Sequence, residues 1–134
     1  MKGLRIESIN EADCKDLLGE LKGLYDNLDL TKPDNPKLVA FTKTMHFLHP
    51  YLIVPMDRKY TMQYFLHYPT FSGNNVTMFE LFKSVYIEFI EFSREHPELS
   101  KYRNNDWNQN IPKIMDNIII GHTLNKKKEE KACE

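Results

Sequence analysis

Seven prolines punctuate this 134-residue chain and set the lengths of the helices it can form. Proline lacks a backbone N–H and disfavours helix in the residue before it, so Pro50, Pro69 and Pro97 are expected to stop helices. Pro36 and Pro112 instead suit a first helical turn. Between these marks, apolar residues recur three and four apart rather than two apart. Glycine is scarce, at 5 residues, which leaves few of the turns a β-sandwich needs. The expected fold is all-α, an irregular bundle of about five helices. Residues 1–125 would form one domain, and the charged run 126–134 a flexible, solvated tail.

Taken in order, residues 4–9 (LRIESI) alternate weakly and predict a short extended arm or edge strand. Asn10 is the expected cap of a helix over 11–28 that buries Leu17, Leu18, Leu21, Leu24, Tyr25 and Leu28. The four-residue spacing of Gly19 and Gly23 suggests close packing there. After a connector at 29–35, Asn35-Pro36 predicts a second helix over 36–49, with Leu38, Phe41, Met45 and Leu48 on one side. Residues 51–55 (YLIVP) read as an extended apolar link against the core. Asp57 would cap a third helix over 58–67, facing Met62, Phe65 and Leu66 inward. Gly73 and two asparagines mark 70–76 as loop. Thr77-Met-Phe-Glu80 reads as a capping box ahead of a strongly apolar, central helix to about residue 95. Residues 99–110 read as a surface connection with Trp107 anchoring it to the core. A last helix from Ile111-Pro112 should bury Ile114, Met115, Ile118 and Ile119 and fray after 121–124. The apolar surplus at 77–95 and 118–120 is expected to be buried in the monomer, with a homodimer face as the alternative.

Net charge is −1 and the pI about 6.5, so the chain lacks the basic surplus of a dedicated nucleic-acid binder. The charge is uneven. Residues 1–30 hold four Lys/Arg against seven Asp/Glu, and 76–99 holds five Glu against Lys83 and Arg94. Between them, 36–67 holds Lys37, Lys43, Arg58 and Lys59 against Asp57 alone. That basic middle would attract an anion locally. Cys14 and Cys133 form no disulfide framework, and Cys14 reads as a boundary residue of a helix. No signal-peptide core or membrane-length apolar run is present, so a cytoplasmic protein is expected.

His46 and His49 share a helix face near Asp57, with His67 beyond. His-x-x-His is too common a pattern to predict a metal site, and no metal or cofactor is expected. Glycine-rich phosphate loops and G-x-S-x-G are absent. Thr42-Lys43, an apolar helix, then Val54-Pro55-Met56-Asp57 at a helix start resembles the catalytic segment of the helix-hairpin-helix DNA glycosylase superfamily. Leu38-Val39-Ala40-Phe41 stands where that family has hairpin glycines. The resemblance implies a divergent DNA glycosylase or lyase. In it Lys43 would form a Schiff base at the sugar C1′, and Asp57 would stabilise the developing cation and assist proton transfer. Tyr51, Tyr60, Tyr64 and Phe71 would supply an aromatic pocket for a flipped base.

Read from the residues alone, the chain is a small helical domain with an interaction or structural role. Its basic middle would meet an anionic partner, nucleic acid among the candidates. His46, Arg58, Tyr60 and Tyr64 are the candidate ligand-binding residues beside Lys43 and Asp57.

Overall fold

The computed structural model describes residues 1, 3–31, 37–67 and 75–132. The helix start at Asn35-Pro36, the stop at Pro69, the loop at 70–74 with Phe71, and Cys133 lie outside these residues. The described residues are all-α, with no strand. Five α-helices occur among them: α1 (Glu11–Asn27), α2 (Leu38–Leu48), α3 (Gln63–Leu66), α4 (Asn75–Glu95) and α5 (Ile111–Ala132). No helix is long and apolar enough to cross a membrane.

Helix α1 begins where its cap predicts. The Asn10 side chain accepts the Asp13 N–H at 2.9 Å, and Leu17, Leu18, Leu21 and Tyr25 are buried. An added Cβ at Gly19 or Gly23 would meet nothing within 4 Å, so neither glycine serves a close helix contact. Helix α2 ends with His49 as its C-cap, directly before Pro50.

Further local expectations give way. The N-terminal segment is a 3-10 turn, Ile6–Ser8, and not an extended arm. With three residues per 3-10 turn, Ile6 and Ile9 fall on one side, and both are buried. Helix α4 starts at Asn75, two residues ahead of the expected capping box. Thr77 therefore lies inside the first turn, and Glu80 pairs with Lys83 at 3.7 Å. Helix α5 continues to Ala132, past the point where fraying was expected. Its lysines and glutamates are good helix formers and no proline interrupts them.

The core is an aromatic chain across three helices. Tyr25 of α1 meets Phe41 of α2 edge-on, with ring centroids 5.0 Å apart, and Phe79 of α4 at 5.3 Å. Phe41 meets Phe82 edge-on at 5.8 Å, and Phe82 stacks on Tyr86 at 5.3 Å. Such offset and edge-on pairs add about 0.5–1.5 kcal/mol each beyond burial. Lys37 is turned inward, its amine 4.9 Å from the Tyr25 ring centroid and donating to the Leu28 carbonyl at 3.3 Å.

The two buried tyrosines differ in their hydroxyls. Tyr86 donates to the Leu52 carbonyl at 2.9 Å, whereas the Tyr25 hydroxyl has no partner among the described residues. Burial pushes the Tyr25 phenol up to about 12, with Asp26 adding to it, and pushes Tyr86 up as well. Tyr25→Phe is expected to leave stability unchanged or raise it by about 1 kcal/mol, because an unpaired buried hydroxyl is removed. Tyr86→Phe is expected to cost about 1–2 kcal/mol, because the Leu52 carbonyl loses its donor. Urea denaturation of the two variants reads the contrast, and equal losses would contradict it. Gly19→Ala and Gly23→Ala are each expected to add about 0.5–1 kcal/mol through helix propensity, measured as a rise in the urea midpoint.

Candidate functional site

The sequence-predicted residues lie on α2, on the link that follows it and on the helical turns beyond. Leu52, Ile53, Val54 and Met56 are buried, so this non-helical backbone needs polar partners inside the protein. Neighbouring elements supply them. The Tyr51 carbonyl accepts the Ile6 N–H at 3.0 Å, and the Ile53 carbonyl accepts from His46 Nδ1 at 2.6 Å. The buried Thr42 hydroxyl accepts the Met56 N–H at 3.2 Å, stapling α2 to the end of the link. His46 is thus oriented by the link, with Nδ1 committed and Nε2 the nitrogen left for other contacts.

Asp57 closes the link as a helix cap. Its carboxylate accepts the Tyr60 N–H at 2.7 Å, and its own N–H donates to the Thr61 hydroxyl at 3.1 Å. The helix behind it is not uniform. Arg58–Met62 is a π-helical turn, closed by the Met62 N–H on the Asp57 carbonyl at 3.1 Å. The α-helical stretch α3 follows, and His67 ends it in the left-handed region at φ 61°. Lys43 is exposed on α2. No hydrogen bond or ion pair joins Lys43 to Asp57 among the described residues. Arg58 is exposed, and Tyr60 is half-buried with the Lys59 amine 5.0 Å from its ring centroid. Tyr51 and Tyr64 line different grooves, so the structure does not bring them into one aromatic pocket.

Behind His46 and Asp57 lies a carboxylate that sequence reasoning missed. Asp116 of α5 is buried and receives the Lys113 amine at 2.6 Å. Burial holds its carboxyl above the usual aspartate range; the Lys113 hydrogen bond and charge oppose this, Asp57 adds to it, and His46 opposes it. The four groups form one electrostatic cluster from α2, the link and α5. The three-residue spacing of Lys113 and Asp116 was the available signal, masked by the apolar residues around it. Among the described residues, no group of three or more His, Cys, Asp or Glu is arranged to hold a metal ion.

Trp107 stands over the outer side of this cluster, in an open groove with His46, Phe47, Pro50 and Lys113. It is 77% exposed and so does not anchor its loop in the core. The loop is held by polar groups instead. The Asn104 side chain accepts the N–H groups of Asp106, Trp107 and Asn108 at 2.9–3.0 Å, and Asn117 donates to the Trp107 carbonyl at 2.8 Å. Asparagine satisfying its own following backbone removes the need for a buried ring.

A second groove runs between α3 and α5. Tyr64, His67, His122, Lys126 and Lys127 line it, with Glu130 and Gln63 at its edge. Tyr64 meets the His122 ring edge-on, with centroids 5.1 Å apart, which ties α3 to α5 at the groove floor. Among its described lining residues Lys126 and Lys127 are the cations and Glu130 the carboxylate. Of its residues Tyr64 was a sequence candidate for ligand binding, and His67 was considered beside His46 and His49. The rest were hidden because His67 and His122 are 55 positions apart and meet only through the fold.

The raised Asp116 carboxyl has a sign that can be checked. A buried acid raised above its unfolded value costs stability at neutral pH. That cost is relieved as pH falls through the folded value toward the unfolded one. Asp116→Asn is therefore expected to raise the thermal midpoint at pH 7, with the gain shrinking steadily toward pH 4. A gain that grows on acidification would contradict it.

No family model, curated protein or solved structure matches the chain.

Proposed function

We propose that the protein is a helical interaction domain that binds an anionic partner in the groove between α3 and α5. One observation carries this reading: His67, His122, Lys126 and Lys127 converge on one open groove with a single carboxylate, Glu130, among its described lining residues. Neither lysine is committed to an ion pair among the described residues. Unpaired cations gathered in a concave surface raise the local concentration of anions and speed their capture.

The basic middle of the sequence contributes less than its composition suggests. Lys37 is spent on the Tyr25 ring and the Leu28 carbonyl. Lys43 is exposed but lies outside the groove lining, and among the described residues no hydrogen bond or ion pair joins its amine to Asp57, the pairing that Schiff-base chemistry at Lys43 would use. Gln63, Tyr64 and His67 are the residues of that segment that reach the groove, and α5 supplies its lysines.

The reading is tested with two polyanionic probes, a fluorescein-labelled poly-glutamate peptide and a single-stranded oligothymidylate, by fluorescence anisotropy. Binding is expected to weaken steeply between about 50 and 200 mM salt. It is expected to fall about tenfold or more in the Lys126→Glu, Lys127→Glu double variant, and much less in Lys43→Glu. Binding that ignores charge reversal at 126 and 127 would remove the site.

A further inference from the structure

The basic groove continues into an apolar one. Tyr64 walls both, and beyond it Phe65, Phe89, Phe92, Met115 and Ile118 line the second. Met115 and Ile119 are its buried floor, while Tyr64, Phe92 and Ile118 remain 41%, 37% and 45% exposed. Ile118, His122 and Lys126 are spaced four apart on α5, so they form one stripe along that helix. From Met115 to Lys127 the trough runs about 18 Å, or a little over three helical turns. Along α5 its chemistry changes from aliphatic at the start to lysine-bearing at the end, with the exposed Glu88 of α4 bordering the apolar part and Glu130 the basic part.

We propose that this trough docks an amphipathic helix of a partner protein, with apolar residues on one face and Asp or Glu gathered at the end that meets Lys126 and Lys127. The proposal rests on the anionic-partner reading and names the partner's class. Charge complementarity and the continuity of the two grooves through Tyr64 select this occupant. A wholly polar polyanion would leave Phe92 and Ile118 in water. A neutral apolar segment would bring Lys126 and Lys127 no counter-charge beyond Glu130. Among the described residues there is no strand edge to extend, so an added β-strand has no backbone to pair with. A stripe of residues four apart on α5 is instead the ridge against which a second helix packs.

The experiment is a selection of random 16-residue displayed peptides on the full chain. Isothermal titration of the enriched peptides then follows, against the wild type, Ile118→Asp and the Lys126→Glu, Lys127→Glu variant. Circular dichroism confirms that each variant is folded, and Phe92→Ser stands in if Ile118→Asp is not. Enriched peptides are expected to carry apolar residues three and four apart with an acidic end, and to lose about tenfold or more in affinity to either variant. Acidic peptides without that period, indifferent to Ile118→Asp, overturn the helix proposal and leave the anionic-partner reading standing. Peptides that are neither acidic nor sensitive to charge reversal overturn both. Sedimentation that finds a dimer abolished by Ile118→Asp makes a second copy of the chain the occupant, and overturns the proposal as well.

Discussion

A buried stretch of non-helical backbone is the constraint on which this structure depends. Leu52, Ile53, Val54 and Met56 lie in the core, and an unpaired buried peptide group costs as much as burying one of these side chains returns. The surrounding elements are positioned by the groups that satisfy it. Thr42 and His46 reach it from α2, Tyr86 from α4, and Ile6 from the N-terminal turn. The α2 contacts fold the link back on the helix before it, and the Tyr86 and Ile6 contacts join elements distant in sequence to the same few residues. The link is therefore the hub through which α2, α4 and the N-terminal turn are registered.

The aromatic chain from Tyr25 to Tyr86 supplies the apolar half of the same arrangement. It crosses α1, α2 and α4 and ends on the link, where Tyr86 donates to Leu52. With α4 covered on that side, Phe89 turns toward α3, where Phe65 meets it edge-on at 5.5 Å. Helix α5 closes over Met115 and Ile119 and leaves Ile118 outside. The surface that remains is not uniform. Polar residues hold an exposed indole at Trp107, and an apolar trough runs into a cationic end along α5. The interaction reading arises from what the core leaves uncovered.

Local signals were legible wherever the responsible chemistry was local. Asn10 and Asp57 cap helices because a short oxygen-bearing side chain can reach the N–H three residues on, whatever lies around it. The apolar face of α4 was readable because six aromatic or aliphatic positions kept helical period. Errors came where two local patterns competed. Ile6 and Ile9 fit a 3-10 turn while Leu4 and Ile6 fit a strand, and burial of both isoleucines chose the turn. Residues 58–62 fit an ordinary helix, but the Thr61 hydroxyl and the Asp57 carbonyl together draw the first turn wide. Trp107 read as an anchor because a lone tryptophan is usually buried. The asparagines around it, each unremarkable in sequence, made burial unnecessary.

By itself the sequence determined an all-α chain, its stops before Pro50 and Pro97, its capped starts at Asn10 and Asp57, and the apolar link at 51–55, of which Leu52, Ile53 and Val54 are buried. These follow from backbone sterics and from hydrogen bonds that span three or four residues. Only the tertiary structure decided which charges are free. Lys37 is turned onto the Tyr25 ring and the Leu28 carbonyl from another helix, while His67 comes to line one groove with His122, Lys126 and Lys127 across the α3–α5 seam. Composition counts charges but not their partners, because pairing depends on distances between side chains that only packing brings together.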